Sequence, residues 1–150
     1  MIFWVLLTGF QIQELITGSV VALIVTLIFL QKSHLFSEIR FSPKSIFFSL
    51  VYILVFLKEL IKSNLDVAFR VLNPKLPIKP GIVRIRTKLK SRLGRIILAN
   101  SITLTPGTLT VETRDDTFYI HWIDVSARNI EESTQVIVSK FEKYLEVIFG

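Results

Sequence analysis

The first third of the chain is apolar almost without interruption, and its few polar positions mark the joints between segments. Residues 2–10 are mostly apolar but supply only about half of the ~20 helical residues that cross a bilayer. They lack the basic start and small-residue cleavage pattern of a secretory signal, and a second apolar run follows almost at once. Gln11-Ile12-Gln13-Glu14 interrupts, and residues 15–30 then carry no charge. Sixteen helical residues rise ~24 Å, so a span over 15–31 is predicted, with Glu14 and Gln31-Lys32 snorkelling at its ends. Gly18, Ser19 and Ala22 put small groups near its start, a surface that permits close helix packing in lipid.

A polar connector follows, with Lys32, His34, Glu38, Arg40 and Lys44. Ser42-Pro43 offers a cap and a first-turn proline, so a new helix starts there. Residues 46–57 are again apolar. From Lys58 the pattern turns amphipathic: Leu57, Leu60, Ile61, Leu65, Ala68, Phe69 and Leu72 recur at helical spacing, opposite Lys58, Glu59, Lys62, Asp66, Arg70 and Asn73. One long helix over 42–72 is predicted, embedded at first and interfacial or partner-covered later, and Asn73-Pro74 ends it. Positive-inside reasoning puts both the connector and the segment after Pro74 in the cytoplasm. Both hold only if this helix returns to its own side or lies partly in the interface.

Pro74, Pro77 and Pro80-Gly81 make a stiff linker over 74–81, dividing a membrane part, 1–73, from a soluble part, 82–150. In the soluble part the pattern predicts strands at 82–87, 108–113 and 118–122, and helices at 89–101 and 130–148. Arg114-Asp115-Asp116 forms a turn between the last two strands. Asn129 and Glu132 stand at cap and third-residue spacing before the final helix. The expected architecture is a membrane α-helical N-terminal part plus a small cytoplasmic α+β domain, β-α-β-β-α, ferredoxin-like without its last strand. About seventy residues give that domain a thin core, so it needs neighbours or the membrane.

Charge sharpens this picture. Lys75 to Arg95 holds eight basic residues and no acid, whereas the chain from Ile96 onward holds four basic and eight acidic residues. The net charge of +6 could signal nucleic acid, but no aromatic residue interleaves the basic run for base stacking. Anionic headgroups or an acidic neighbouring subunit fit better. The chain has no cysteine, which excludes disulfides and thiolate metal sites, and its two histidines, His34 and His121, stand alone. No cofactor, metal or catalytic residue is expected, and His121 is given no role. Glu14, Lys58 and Glu59 are the candidate membrane-depth charges, all at segment ends where snorkelling or an ion pair suffices.

One stretch remains, Leu98-Ala99-Asn100-Ser101-Ile102-Thr103-Leu104-Thr105-Pro106-Gly107-Thr108-Leu109. It has neither the spacing of a phosphate loop nor the elbow of a serine hydrolase. Short hydroxyl side chains at a helix C-terminus cap freed carbonyls, and Pro-Gly locks the turn. Asn100, Ser101, Thr103, Thr105, Pro106, Gly107 and Thr108 are therefore read as a structural or docking motif.

With Lys88-Leu89-Lys90 upstream and Ile120-His121-Trp122-Ile123-Asp124-Val125 downstream, this motif resembles the family of E subunits of the multisubunit Mrp-type (Mnh-type) cation/proton antiporters. The resemblance covers nearly the whole chain, most closely 58–125. It implies a non-catalytic accessory or assembly subunit of a sodium/proton antiporter in the cell membrane. The chain would be multi-pass, with its soluble domain cytoplasmic. The implied partners are the other subunits of the complex and the lipid bilayer, with no nucleic acid. Related subunits also occur in redox-driven ion pumps such as membrane-bound hydrogenases, so that host is the alternative.

Overall fold

A computed structural model describes residues 2–9, 11–30 and 42–149. The connector side chains Lys32, His34, Glu38 and Arg40, and the far ends of the predicted segments 2–10 and 15–31, lie outside the described residues. The chain divides into two compact units, Met1–Ser37 and Glu38–Gly150.

The first unit holds α1 (Ile2–Thr8) and α2 (Ile12–Leu30). Among the described residues α2 is the one helix long and apolar enough to cross a membrane, over Ile12–Phe29. The close packing expected of its small residues is seen at Gly18. A Cβ built there would lie 2.7 Å from Trp4 Cδ1, so only glycine admits the indole of α1.

The second unit opens with α3 (Pro43–Leu72), thirty residues and ~45 Å long. Ser42 caps it, its hydroxyl accepting from Ser45 N at 3.1 Å, and Pro43 occupies the first turn, where no donor is lost. Then follow β1 (Gly81–Arg86), α4 (Arg92–Leu104), β2 (Thr108–Arg114), β3 (Thr117–Trp122), α5 (Ile130–Ile137) and α6 (Ser139–Phe149). The three strands form one sheet in the order β1-β3-β2, with β3 antiparallel to both neighbours. Asp115 takes the β2–β3 turn at φ +51°, a left-handed conformation that aspartate tolerates.

The core gathers Ile85 of β1, Leu98 and Ile102 of α4, Phe118 and Ile120 of β3, and Phe141, Leu145 and Ile148 of α6, all buried. It is completed from α3: Phe48, Tyr52 and Phe56 pack against it, with ring centroids 6.3 Å (Tyr52) and 6.4 Å (Phe56) from Phe141 and 6.5 Å (Phe48) from Tyr144. The neighbour that the thin soluble core needed is thus the long helix itself. The proline segment is pinned as well. Lys79 N donates to Ile123 O at 3.1 Å, Val125 N to Lys79 O at 2.9 Å, and Arg70 Nη1 to Pro77 O at 2.8 Å.

Helix boundaries differ from expectation for local reasons, and α4 runs three residues past the expected end at Ser101, to Leu104. The helix expected from Leu89 begins at Arg92, because Ser91 is the cap that accepts from Gly94 N at 3.0 Å. The single helix expected over 130–148 is two, meeting at Val138. α5 packs on β1, whereas α6 packs on α3 and α4. Val138 is fully buried where the chain changes partners.

Candidate functional site

Hydroxyl groups stitch the end of α4 to the start of β2. A helix leaves its last carbonyls without intrahelical donors. Here Thr105 Oγ1 donates to Ser101 O at 2.7 Å, and Thr108 Oγ1 sits 2.7 Å from Ile102 O and 2.9 Å from Thr105 O. One turn outward, Thr110 N donates to Thr103 Oγ1 at 3.1 Å and Thr110 Oγ1 to Ala99 O at 3.0 Å. Each bond needs a short hydroxyl side chain at that position, which explains the run of Ser and Thr without any catalytic demand.

Gly107 closes the turn at φ +92°, a left-handed value that disfavours any side chain. A Cβ there would meet Ile123 Cγ2 at 3.1 Å, with Val67 Cγ2 of α3 at 3.7 Å, and Gly107 O accepts from Ile123 N at 2.8 Å. Ser101, buried one helical turn earlier, donates to Ile97 O at 2.7 Å and shares a hydrogen bond with the Tyr52 hydroxyl of α3. Ser101, Thr105, Gly107 and Thr108 thus converge where α3, α4 and β2 meet. Asn100 lies apart, exposed beside a shallow notch with Arg92, Arg95, Thr113 and Asp115.

A groove of about 270 Å³ runs beside this turn. Glu59, Lys62, Asp66 and Arg70 of α3 line one side, and Pro106, Trp122, Asp124 and Lys140 are among its other lining residues. Glu59 Oε2 accepts from Lys140 Nζ at 3.2 Å, with the two side chains 18% and 31% exposed. Arg70 donates from Nε to Asp66 Oδ2 at 2.7 Å and from Nη1 to Asp124 Oδ2 at 2.8 Å. The hydrogen bonds that Arg70 donates, to Asp66 first and Asp124 second, raise its pKa further above its ordinary value, so the guanidinium stays charged. Glu59, Asp66 and Asp124 are each committed to a cation of the same chain. Among the described lining residues, Glu59, Asp66, Arg70, Asp124 and Lys140 are therefore all engaged in ion pairs at the groove.

The membrane-depth charges separate. Glu59 turns inward to Lys140, while Lys58 is exposed on the outer side of α3 with no ion pair to any described residue. Adjacent helical residues point ~100° apart, so the two cannot face each other as an ion pair of neighbours. Glu14 is half-buried in the first turn of α2, where a helix N-terminus favours negative charge.

Sequence reasoning missed Glu142. It is buried on α6, and its Oε1 accepts from Thr87 Oγ1 at 2.5 Å and from Lys88 N at 2.7 Å. The only signal in the sequence is a carboxylate on the apolar side of the last helix, and the hydrophobic pattern alone does not flag it.

A family model described as "Na+/H+ ion antiporter subunit" (MNHE) matches residues 1–148. The chain is similar to the E subunit of the Na+/H+ antiporter of Alkalihalophilus pseudofirmus, at 43% identity over 110 residues, 72% of this chain and 68% of that protein. It is similar to the E1 subunit of the Na+/H+ antiporter of Staphylococcus haemolyticus at 36% identity over 151 residues, covering 97% of this chain and 89% of that one. Among solved structures it is similar to a chain of the membrane-bound sulfane sulfur reductase, an archaeal respiratory membrane complex. That likeness has a TM-score of 0.80 and 42% identity, over 99% of this chain and 92% of the other.

Proposed function

The chain belongs to the Na+/H+ ion antiporter subunit family, and from that premise we propose that it is a non-catalytic accessory subunit of a multisubunit cation/proton antiporter. It contributes the turn at Pro106-Gly107 and the groove beside it as docking surface for the other subunits. The observation that carries this reading is the groove itself, whose carboxylates Glu59, Asp66 and Asp124 are all neutralised from within the chain. Pairing of this kind holds the walls of the groove in a fixed shape for a partner to meet. The complex sits in the cell membrane, and the second unit lies on the cytoplasmic side, favoured by the eight basic residues between Lys75 and Arg95. We read that unit as ferredoxin-like without its last strand, since β3 runs antiparallel between β1 and β2.

One observation favours a second host. The sulfane sulfur reductase chain matches 99% of this chain at 42% identity, which supports the equivalent place in a redox-driven ion-pumping complex.

Affinity capture of the tagged chain from native membranes in mild detergent, with mass spectrometry of its companions, tests both. Large antiporter-type subunits alone support the antiporter. The same subunits with metal-cluster proteins move the chain to the redox-driven complex. A chain recovered alone, while other complexes survive, overturns the accessory role.

A further inference from the structure

Helix α3 is buried along one side for nearly its whole length. From its start to its end the contacts run Ser45 Oγ to Val147 O (3.5 Å), Phe48 to Tyr144, Tyr52 and Phe56 to Phe141, Glu59 to Lys140, and Arg70 to Asp124. A helix that crossed the bilayer in this arrangement would drag α6, with Glu142, Lys143 and Glu146, into hydrocarbon. Each buried charge is expensive there. Its apolar length is therefore not available for a span.

The opposite side of α3 is apolar and uncovered. Phe47, Leu50, Leu54, Leu57, Ile61 and Leu65 recur every three or four residues and are 44–67% exposed. Flanking this stripe are Lys44, Lys58 and Lys62, the last also bordering the groove; at 100° per residue the three fall within about 40° of one another on the helix. All three are exposed, and none pairs with a described acid. The two acids of α3 are already taken, Glu59 by Lys140 and Asp66 by Arg70. The helix thus combines a packed polar-aromatic back, an apolar front and a cationic flank. In sequence only twelve residues, 31–42, separate it from α2.

We infer that α3 lies flat on an anionic bilayer surface, with its outer stripe at the acyl boundary and Lys44, Lys58 and Lys62 among the headgroups. Amphipathic helices with this division bind in the interface plane, by apolar burial together with attraction to anionic lipid. Lysine stems reach from the edge of the stripe to the phosphates. This geometry also satisfies the charge rule that the sequence left in conflict, because a helix lying in the interface returns the chain to the side from which it came. The inference holds for either host complex.

The absence of cysteine makes the test direct. The full chain, with one cysteine placed in turn at Leu50, Leu54, Leu57, Ile61 and Leu65 and carrying a nitroxide, is reconstituted into phosphatidylcholine–phosphatidylglycerol vesicles. Accessibility to oxygen and to a polar nickel reagent then gives each label's depth. One common shallow depth at all five positions, lost in phosphatidylcholine alone, is expected. A depth that changes progressively along the helix would mean that α3 crosses, and would overturn the inference. Labels that face water in both lipids would overturn it too, leaving the stripe to a protein partner. Equal depth in both lipids would overturn the role given to the lysines.

Discussion

Tyr52 and Ser101, forty-nine positions apart, share a hydroxyl–hydroxyl hydrogen bond that joins the first third of α3 to the C-terminal third of α4. Through it the hydroxyl-rich motif is fastened to the long helix as well as to the sheet. The two partners are not equivalent, and that asymmetry can be measured.

Ser101→Ala strands a phenolic hydroxyl in a partly buried site, whereas Tyr52→Phe leaves Ser101 still donating to Ile97 O. Losing a hydrogen bond with no orphan left behind costs about 0.5–1.5 kcal/mol, and leaving one buried costs about 1–3 kcal/mol. Alanine's better helix propensity, worth about 0.5 kcal/mol, offsets part of the second figure. Thermal unfolding of the full chain in mild detergent should rank Ser101→Ala as the more damaging. The double variant should be less destabilised than the sum of the singles. Strict additivity would mean that the bond does not couple the helices.

Gly107→Val forces a β-branched side chain into a left-handed conformation and against Ile123. Strain of this type costs about 1–3 kcal/mol, before the 3.1 Å contact is counted. Pro106→Ala keeps the turn and mainly frees the unfolded chain, at a cost of about 0.4–1 kcal/mol. Co-purification of the complex should therefore fall much further in Gly107→Val than in Pro106→Ala. Normal assembly in both variants would show that the turn is not a docking element.

Much of this was legible in the sequence, and what was not has identifiable causes. The strands, the Asp115-Asp116 hairpin and the Pro-Gly stop follow from period-2 alternation and turn chemistry, both of which are local. The long helix was legible as a helix, but its sides were not. An unbroken apolar run such as 46–57 does not say which residues meet protein and which meet lipid. Only the contacts of Phe48, Tyr52 and Phe56 with α6 separate them from Phe47, Leu50 and Leu54. The groove was illegible for the same reason. Glu59 and Lys140 are eighty-one positions apart, Arg70 and Asp124 fifty-four, and no local pattern pairs them. The break at Val138 carries no glycine or proline, because a change of packing partner causes it.

The Glu59–Lys140 pair tests whether α3 and α6 are held in this register. Both side chains are part-exposed, so the pair itself contributes only about 0.5–1 kcal/mol. Glu59→Lys places two cations together and should lower the unfolding midpoint of the full chain. Lys140→Glu, combined with it, should restore most of the loss. Failure of the reversed pair to recover stability would place α3 and α6 in some other register.

Glu142 gives the last prediction, and it concerns the basic loop. Its Oε1 holds both Thr87 Oγ1 and Lys88 N, at the point where the chain leaves β1 and enters Lys88-Leu89-Lys90. Hydrogen bonds to a charged acceptor are worth about 1.5–3 kcal/mol. Glu142→Ala removes the acceptor and leaves the Lys88 amide without its partner, so a loss of that size is expected. Glu142→Gln keeps a carbonyl oxygen in place and should recover much of it. Hydrogen exchange localises the effect: the Lys88 and Leu89 amides should lose protection in Glu142→Ala, while the amides of β3, bonded on both sides within the sheet, should not. Uniform loss of protection across the unit would show instead that Glu142 supports the core at large and has no special hold on the loop.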